Sequence, residues 1–149
     1  MPNSPERWVA LSIRQPWIDM ILRGEKTMEL RIWPIKRRGP ILLHAAQTID
    51  WKTVHLLDYP APLELARGAI VGYAEIQDVI ALNRAAWLRN LSGHRVVHPP
   101  RPGTYGAILT NVRRLKQPVR CGGKPYFFPL ADRVLERVLS QLQLTNGEE

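Results

Sequence analysis

The segment RGEKTMELRIWPIKRRG, residues 23–39, packs two acids and six bases around a single Trp. Lys26, Thr27, Glu29 and Arg31 are its chemically suggestive members. A Lys and a Glu that share a pocket perturb each other's pKa and can act as an acid–base pair. The same pair can read the hydrogen-bonding edge of a nucleobase, and Arg31 can hold a phosphate or carboxylate through two parallel hydrogen bonds. On a regular strand Thr27, Glu29 and Arg31 share one face, and Lys26, Met28, Leu30 and Ile32 share the other. A bulge or a late strand start would move Lys26 to the polar side. The plainer alternative is an exposed strand face of mixed charge.

Other chemistry is thinly represented. Nothing matches a phosphate-binding glycine loop, a dinucleotide fingerprint or paired-Cys zinc spacing. His44, His55, His94 and His98 are scattered, and Pro99 and Pro100 disfavour a helical metal pair from His94 and His98. No metal and no cofactor are expected. Cys121 is the single cysteine, so an internal disulfide is impossible, which suits a reducing compartment. No apolar run reaches the ~18 residues that span a bilayer. The start MPNSPERW lacks an apolar signal core, so the expected location is the cytoplasm.

The elements that must position these residues follow from periodicity and breakers. WVALSI reads as a strand. PWIDMILRG reads as a short helix with Pro16 at its start and Gly24 at its stop. KTMELRIW, ILLHAA and GAIVGYAEIQDVIAL read as strands. A helix opened by Thr48 or Asp50 follows ILLHAA, and Asn83 caps another, NRAAWLRNLSG. TYGAILTNVRRL is a strand with a potential break at Gly106. PVRCGGKPYFFPL is a loop feeding a short aromatic strand. DRVLERVLSQL is an amphipathic helix with Val134, Leu135, Val138, Leu139 and Leu142 inward. No regular strand–helix–strand repeat is present, so an α+β class with a small curved sheet or barrel is expected over a doubly wound sheet.

The chain of 149 residues carries a net charge of +8. Its distribution is one-sided. Between Asp78 and Asp132 lie nine bases and no acid, while the rest holds twelve bases against thirteen acids. Such a bias is the electrostatic footprint of a phosphate-backbone binder. Trp17, Trp33, Trp51, Trp87 and Tyr105 lie among the bases. Exposed aromatics beside cations stack on unpaired bases, each worth ~1–3 kcal/mol. Trp87 reads instead as the core anchor of its helix.

LSIRQPW followed by RGEKTMELR resembles the signature of the ASCH (activating signal cointegrator homology) domain family. The pattern is a strand, a Q-P-W-like helix start and a G-x-K-x-x-E-x-R segment. Gln15, Pro16, Trp17, Gly24, Lys26, Glu29 and Arg31 carry it here. The similarity continues through RRGPILLHAA, GAIVGYAEIQDV, YGAILTNVRRL and GGKPYFFPL, roughly from Val9 to Leu130. The resemblance implies a PUA-like β-barrel with short helices closing its ends, plus the C-terminal amphipathic helix. The expected division is an extension at 1–8, the ASCH domain at 9–143 and a flexible tail at 144–149.

The resemblance also implies a cleft for nucleic acid, lined by Lys26, Glu29 and Arg31 with Gln15 and Trp17 beside them. The expected partner is RNA or DNA, single-stranded or terminal, with no membrane. Lys36, Arg37, Arg38, Arg113, Arg114, Lys116, Arg120 and Lys124 would neutralise phosphates, and Trp33 or Trp17 would stack on a base. Some members are hydrolases. One branch removes the acetyl group of N4-acetylcytidine, and its Lys corresponds to Lys26. This chain carries Glu29 where that branch has its nucleophilic Thr, and NRAAWLRN lacks the acid of that branch's helical insertion. The alternative is therefore a metal-independent hydrolase of a modified pyrimidine nucleoside, or a ribonuclease, using Lys26 and Glu29.

Overall fold

The computed structural model describes residues 8–144. The assignments made for residues 1–7 and 145–149 lie outside the described residues. Six strands and five α-helices alternate irregularly. In chain order they are β1 (Val9–Gln15), α1 (Trp17–Leu22), β2 (Met28–Arg31), β3 (Gly39–Ile49), α2 (Trp51–Leu57), β4 (Ala69–Ala81), α3 (Arg84–Arg89), α4 (Leu91–His94), β5 (Tyr105–Arg120), β6 (Phe127–Pro129) and α5 (Asp132–Leu142). The class is α+β.

The strands form one mixed sheet in the order β2-β5-β4-β3-β1-β6. Only β1 and β3 run parallel; every other pair is antiparallel. The expected barrel is not closed by hydrogen bonds, because β2 and β6 remain edges. The reason is local. β2 has four residues and runs out towards Pro34, which has no N–H to donate. Side chains span the gap instead. Arg31 of β2 donates to the Ser12 carbonyl of β1 at 2.9 Å. Trp33 packs edge-on against Tyr126 and Phe127, with ring centroids 5.1 and 5.8 Å away.

A small apolar cluster packs Ala86 and Trp87 of α3 on Met28 of β2, and two larger ones hold the rest of the sheet. One joins Ile18 and Ile21 of α1 to Leu11, Ile13, Leu43, Val71, Ile76 and Leu109 of the strands. The other docks Leu135, Val138, Leu139 and Leu142 of α5 on Ala10, Leu42, Ile70, Leu115 and Phe128. That stripe is the one the 3.6-residue period marks out, with Val134 only partly buried. Trp8, at the margin of the expected extension, is buried in the same cluster and packs on Tyr73.

β5 differs from its sequence reading in two ways. It is not broken at Gly106, which pairs with Leu30 on one side and Ile80 on the other. It also continues through Pro118 to Arg120, where Val119 pairs with Ile70. Gly106 fits there because a Cβ would stand 2.4 Å from the Met28 sulfur.

Candidate functional site

The end of α1 sets the site. Gly24 adopts φ +81°, the left-handed conformation a helix stop needs. Gly24 N–H donates to the Ile21 carbonyl and Glu25 N–H to the Met20 carbonyl, which closes the last turn in a Schellman motif. The chain then reverses so sharply that Lys26 N–H also reaches the Met20 carbonyl, at 3.2 Å. Lys26 is thereby driven inward ahead of β2. Because the strand begins only at Met28, strand alternation does not bind Lys26, and it joins Glu29 and Arg31 along the same cleft. Thr27 is exposed and does not line the cleft.

Lys26 is 2% exposed. Its ammonium donates to the His94 carbonyl at 2.6 Å, lies 3.8 Å from Glu29 Oε1 and sits 4.6 Å from the centroid of the Trp17 ring. Burial lowers its pKa to about 8; the Glu29 carboxylate opposes that fall, and Arg31 and Arg95 add to it. Glu29 also meets Arg31, whose Nη2 is 3.1 Å from Oε2. A buried ammonium, a carboxylate and a guanidinium thus form one chain along the cleft floor.

Trp17 is fixed from the other side. Its indole N–H donates to Asp50 Oδ2 at 3.0 Å. Asp50 caps α2 by accepting from Thr53 N–H, and the Thr53 hydroxyl donates to it at 2.8 Å. Burial alone would raise the Asp50 pKa, but hydrogen bonds from Thr53 and Trp17, with the Arg14 charge, bring it below the ordinary carboxylate value. His94 is completely buried. Its Nε2 donates to the Trp87 carbonyl and its Nδ1 accepts from Val96 N–H, which fixes one neutral tautomer. Burial lowers its pKa, against the Trp87 carbonyl, which raises it; nearby Lys26 and His98 lower it further. The ring stacks on Trp87 at 5.1 Å.

The resulting cleft encloses about 900 Å³ and runs along the seam between β1 and β2. Its walls include Trp17, Trp33, Trp87 and Tyr126, and exposed Arg14, Lys52, Arg101 and Lys124 also line it. Two buried donors of lining residues, Arg31 Nε and Trp87 Nε1, have no hydrogen-bond partner.

Other residues of the sequence reading lie elsewhere. Gln15 is 2% exposed and fully used by the scaffold: its Oε1 accepts from Asp19 N–H at the start of α1, and its Nε2 donates to the Ala66 carbonyl. Arg113 donates to the Leu142 carbonyl at the end of α5, and Arg114 pairs with Asp19 at 3.3 Å. Neither lines the cleft, nor do Lys36, Arg37, Arg38 and Lys116. Arg38 lies 3.5 Å from Asp78. Arg120 lines a neighbouring cavity that Lys124 shares. The bases of the acid-free stretch are therefore not all cleft residues.

The sequence reading missed Arg14, Asp50, Lys52 and Arg101 as cleft residues. Asp50 carried a signal, as the cap before Trp51, and Arg101 carried one as a base of the acid-free stretch; Arg14 and Lys52 carried none. Among the described residues, no three His, Cys, Asp or Glu side chains gather to hold a metal, and no helix is long and apolar enough to cross a membrane.

The family model for the ASCH domain matches residues 11–119. The chain belongs to the ASCH domain family. Its fold is similar to the crystal structure of ASCH from Zymomonas mobilis, with a TM-score of 0.65 at 12% identity over 91% of this chain and 95% of that one. A Tyr-to-Phe variant of that protein gives 0.63 at 12% identity over 90% and 97% of the two chains. A Ser-to-Ala variant gives 0.63 at 13% over 94% and 98%. At these identities the likeness is one of fold. No curated protein sequence matches the chain. In this ASCH domain the G-x-K-x-x-E-x-R segment lines the cleft through its Lys, Glu and Arg.

Proposed function

We propose that this ASCH domain binds single-stranded or terminal nucleotides of RNA or DNA, with one nucleotide seated in the cleft. The observation that carries the reading is that Lys26, Glu29 and Arg31 line one cleft whose walls also hold Trp33, Tyr126 and the exposed bases Arg14, Lys52, Arg101 and Lys124.

The surroundings support the same occupant. A volume of about 900 Å³ lies within the ~300–1,000 Å³ range of ligand pockets. Glu29 accepts hydrogen bonds where Lys26 and Arg31 donate, so a base edge with both kinds of group finds partners. Trp33 and Tyr126 offer ring faces for stacking. Arg14, Lys52, Arg101 and Lys124 neutralise phosphates on either side. Short oligonucleotides should quench the tryptophan fluorescence of the wild type saturably. Trp33→Ala should weaken binding at least ~5-fold, the lower end of stacking energies on unpaired bases. Equal affinity in wild type and variant would remove the cleft from the reading.

A second reading has one observation in its favour. An amine with a pKa of about 8 beside a carboxylate is suited to proton transfer near neutral pH. Lys26 would act as base or nucleophile, with Glu29 as its partner, on an acylated pyrimidine nucleoside. Loss of the acetyl group from N4-acetylcytidine, abolished by Lys26→Ala, would establish it; an intact nucleoside after prolonged incubation would exclude that substrate.

A further inference from the structure

Ser12 and His44 form a second arrangement, which the cleft chemistry does not use. They line a neighbouring cavity of about 610 Å³ with Gln47, Arg120, Gly123 and Lys124 among its other walls. Ser12 and Lys124 line the cleft as well, so the two hollows adjoin at Ser12.

His44 is 1% exposed and makes two hydrogen bonds through its ring. Nε2 lies 2.8 Å from the Cys121 carbonyl, which can only accept, so Nε2 carries the proton. Burial holds the imidazole below its ordinary pKa, against that carbonyl bond, which raises it. The neutral ring therefore presents a lone pair at Nδ1, and Nδ1 lies 2.9 Å from Ser12 Oγ. The hydroxyl is the donor. Phe128 packs edge-on against the ring at 5.6 Å. Gly123 closes over the pair: a Cβ there would stand 2.7 Å from His44 Cε1 and 3.1 Å from Ser12 Oγ. The arrangement is a hydroxyl, a base and a group that orients the base, the three roles of an activated serine. Cys121, in the same cavity, is a poor competitor because burial pushes its thiol pKa up.

We propose that Ser12 is a nucleophile, with His44 as its general base, toward carboxylic esters that carry a negative charge. Arg120 and Lys124 supply the countercharge. Ser12 Oγ bonds to the ester carbonyl carbon as its proton passes to His44 Nδ1. The tetrahedral adduct expels the alcohol, which takes that proton, and leaves an acyl group on Ser12. Water then attacks the acyl carbon, gives its proton to Nδ1, and releases the acid. Ser12 recovers its proton from His44.

The test uses the full chain and a fluorophosphonate, whose P–F bond breaks when a serine oxygen attacks phosphorus. Peptide mass spectrometry locates the adduct in the wild-type protein, so the result does not depend on a variant folding. An adduct on Ser12, slowed at least ~100-fold in His44→Gln, the lower end for general-base catalysis, is expected. No adduct, or an adduct elsewhere, would overturn the proposal. A second arm compares p-nitrophenyl succinate with p-nitrophenyl acetate. The anionic ester should turn over faster, and Arg120→Ala/Lys124→Ala should erase the preference. Equal rates in the wild type would overturn the assignment of charge.

Discussion

Arg31 Nη2 donates to the Ser12 carbonyl at 2.9 Å while standing 3.1 Å from Glu29. One guanidinium therefore links β1 to β2, two strands that share no ladder, and orients the acid on the cleft floor. Replacing Arg31 by Met should remove both contacts and leave Glu29 with Lys26 alone. A hydrogen bond to a charged group contributes ~1.5–3 kcal/mol, so a loss of that order is expected in urea unfolding. Arg31→Lys should recover only part of it, because an ammonium cannot reproduce the planar fork. An unchanged midpoint in Arg31→Met would show that the seam holds without this contact.

Lys26 gives stability a definite pH dependence. Its folded pKa is about 8 against an ordinary 10.5. The unfolded chain therefore holds the proton more strongly than the folded chain does. Between about 8 and 10.5 the unfolded state binds more protons, so the contribution of this group to stability rises with pH across that window. Below about 8 the cost of burying the charge is fully present. Lys26→Met removes the group, so wild type should gain stability relative to this variant from pH 8 to 10.5. A constant difference across that window would contradict the burial of a charged amine.

Basic residues divide into two groups with opposite expectations. Arg101 and Lys124 line the cleft, whereas Arg113 and Arg114 are engaged by Leu142 and Asp19. Arg101→Ala/Lys124→Ala should weaken oligonucleotide binding and lower its salt slope by about 1.4, since each phosphate contact on a single strand contributes ~0.7. Arg113→Ala/Arg114→Ala should leave both quantities near wild type. Binding isotherms across a salt series decide it, and the reverse pattern would place the interface on the α5 side.

Gly72 tests the packing of α1 on the sheet. A Cβ at this position would stand 2.7 Å from the Arg113 carbonyl and 2.5 Å from Leu22 Cδ2. The Leu22 side chain can rotate away, but the backbone carbonyl cannot. Gly72→Ala should therefore destabilise by ~1–3 kcal/mol, as overpacking does. A thermal midpoint within error of wild type would mean that β4 and β5 separate at little cost.

Local signals made part of this molecule legible. Pro16 and Gly24 bracket α1, Asn83 caps α3, and the apolar stripe of α5 is the buried one. The late strand start that frees Lys26 was open as an alternative, since alternation alone assigned Lys26 to the opposite face. What remained hidden depends on distant contacts. Lys26 finds its carbonyl partner 68 residues away in His94, and Arg114 finds Asp19 95 residues away. Neither is encoded in spacing. Pro118 reads as a breaker, yet β5 runs through it because Val119 is needed in the α5 cluster. The orphan donor of Trp87 was masked by its correct reading as a core residue.

The most direct test of the central claim is fluorescence anisotropy of a labelled single-stranded oligonucleotide at ~50 and ~200 mM salt, a range over which phosphate contacts are strongly weakened. Wild type, Trp33→Ala and Arg101→Ala/Lys124→Ala would be compared. Binding by the wild type should be salt-sensitive, and reduced in both variants while their unfolding curves stay cooperative. Salt-independent binding, or equal affinity in all three proteins, would contradict the claim.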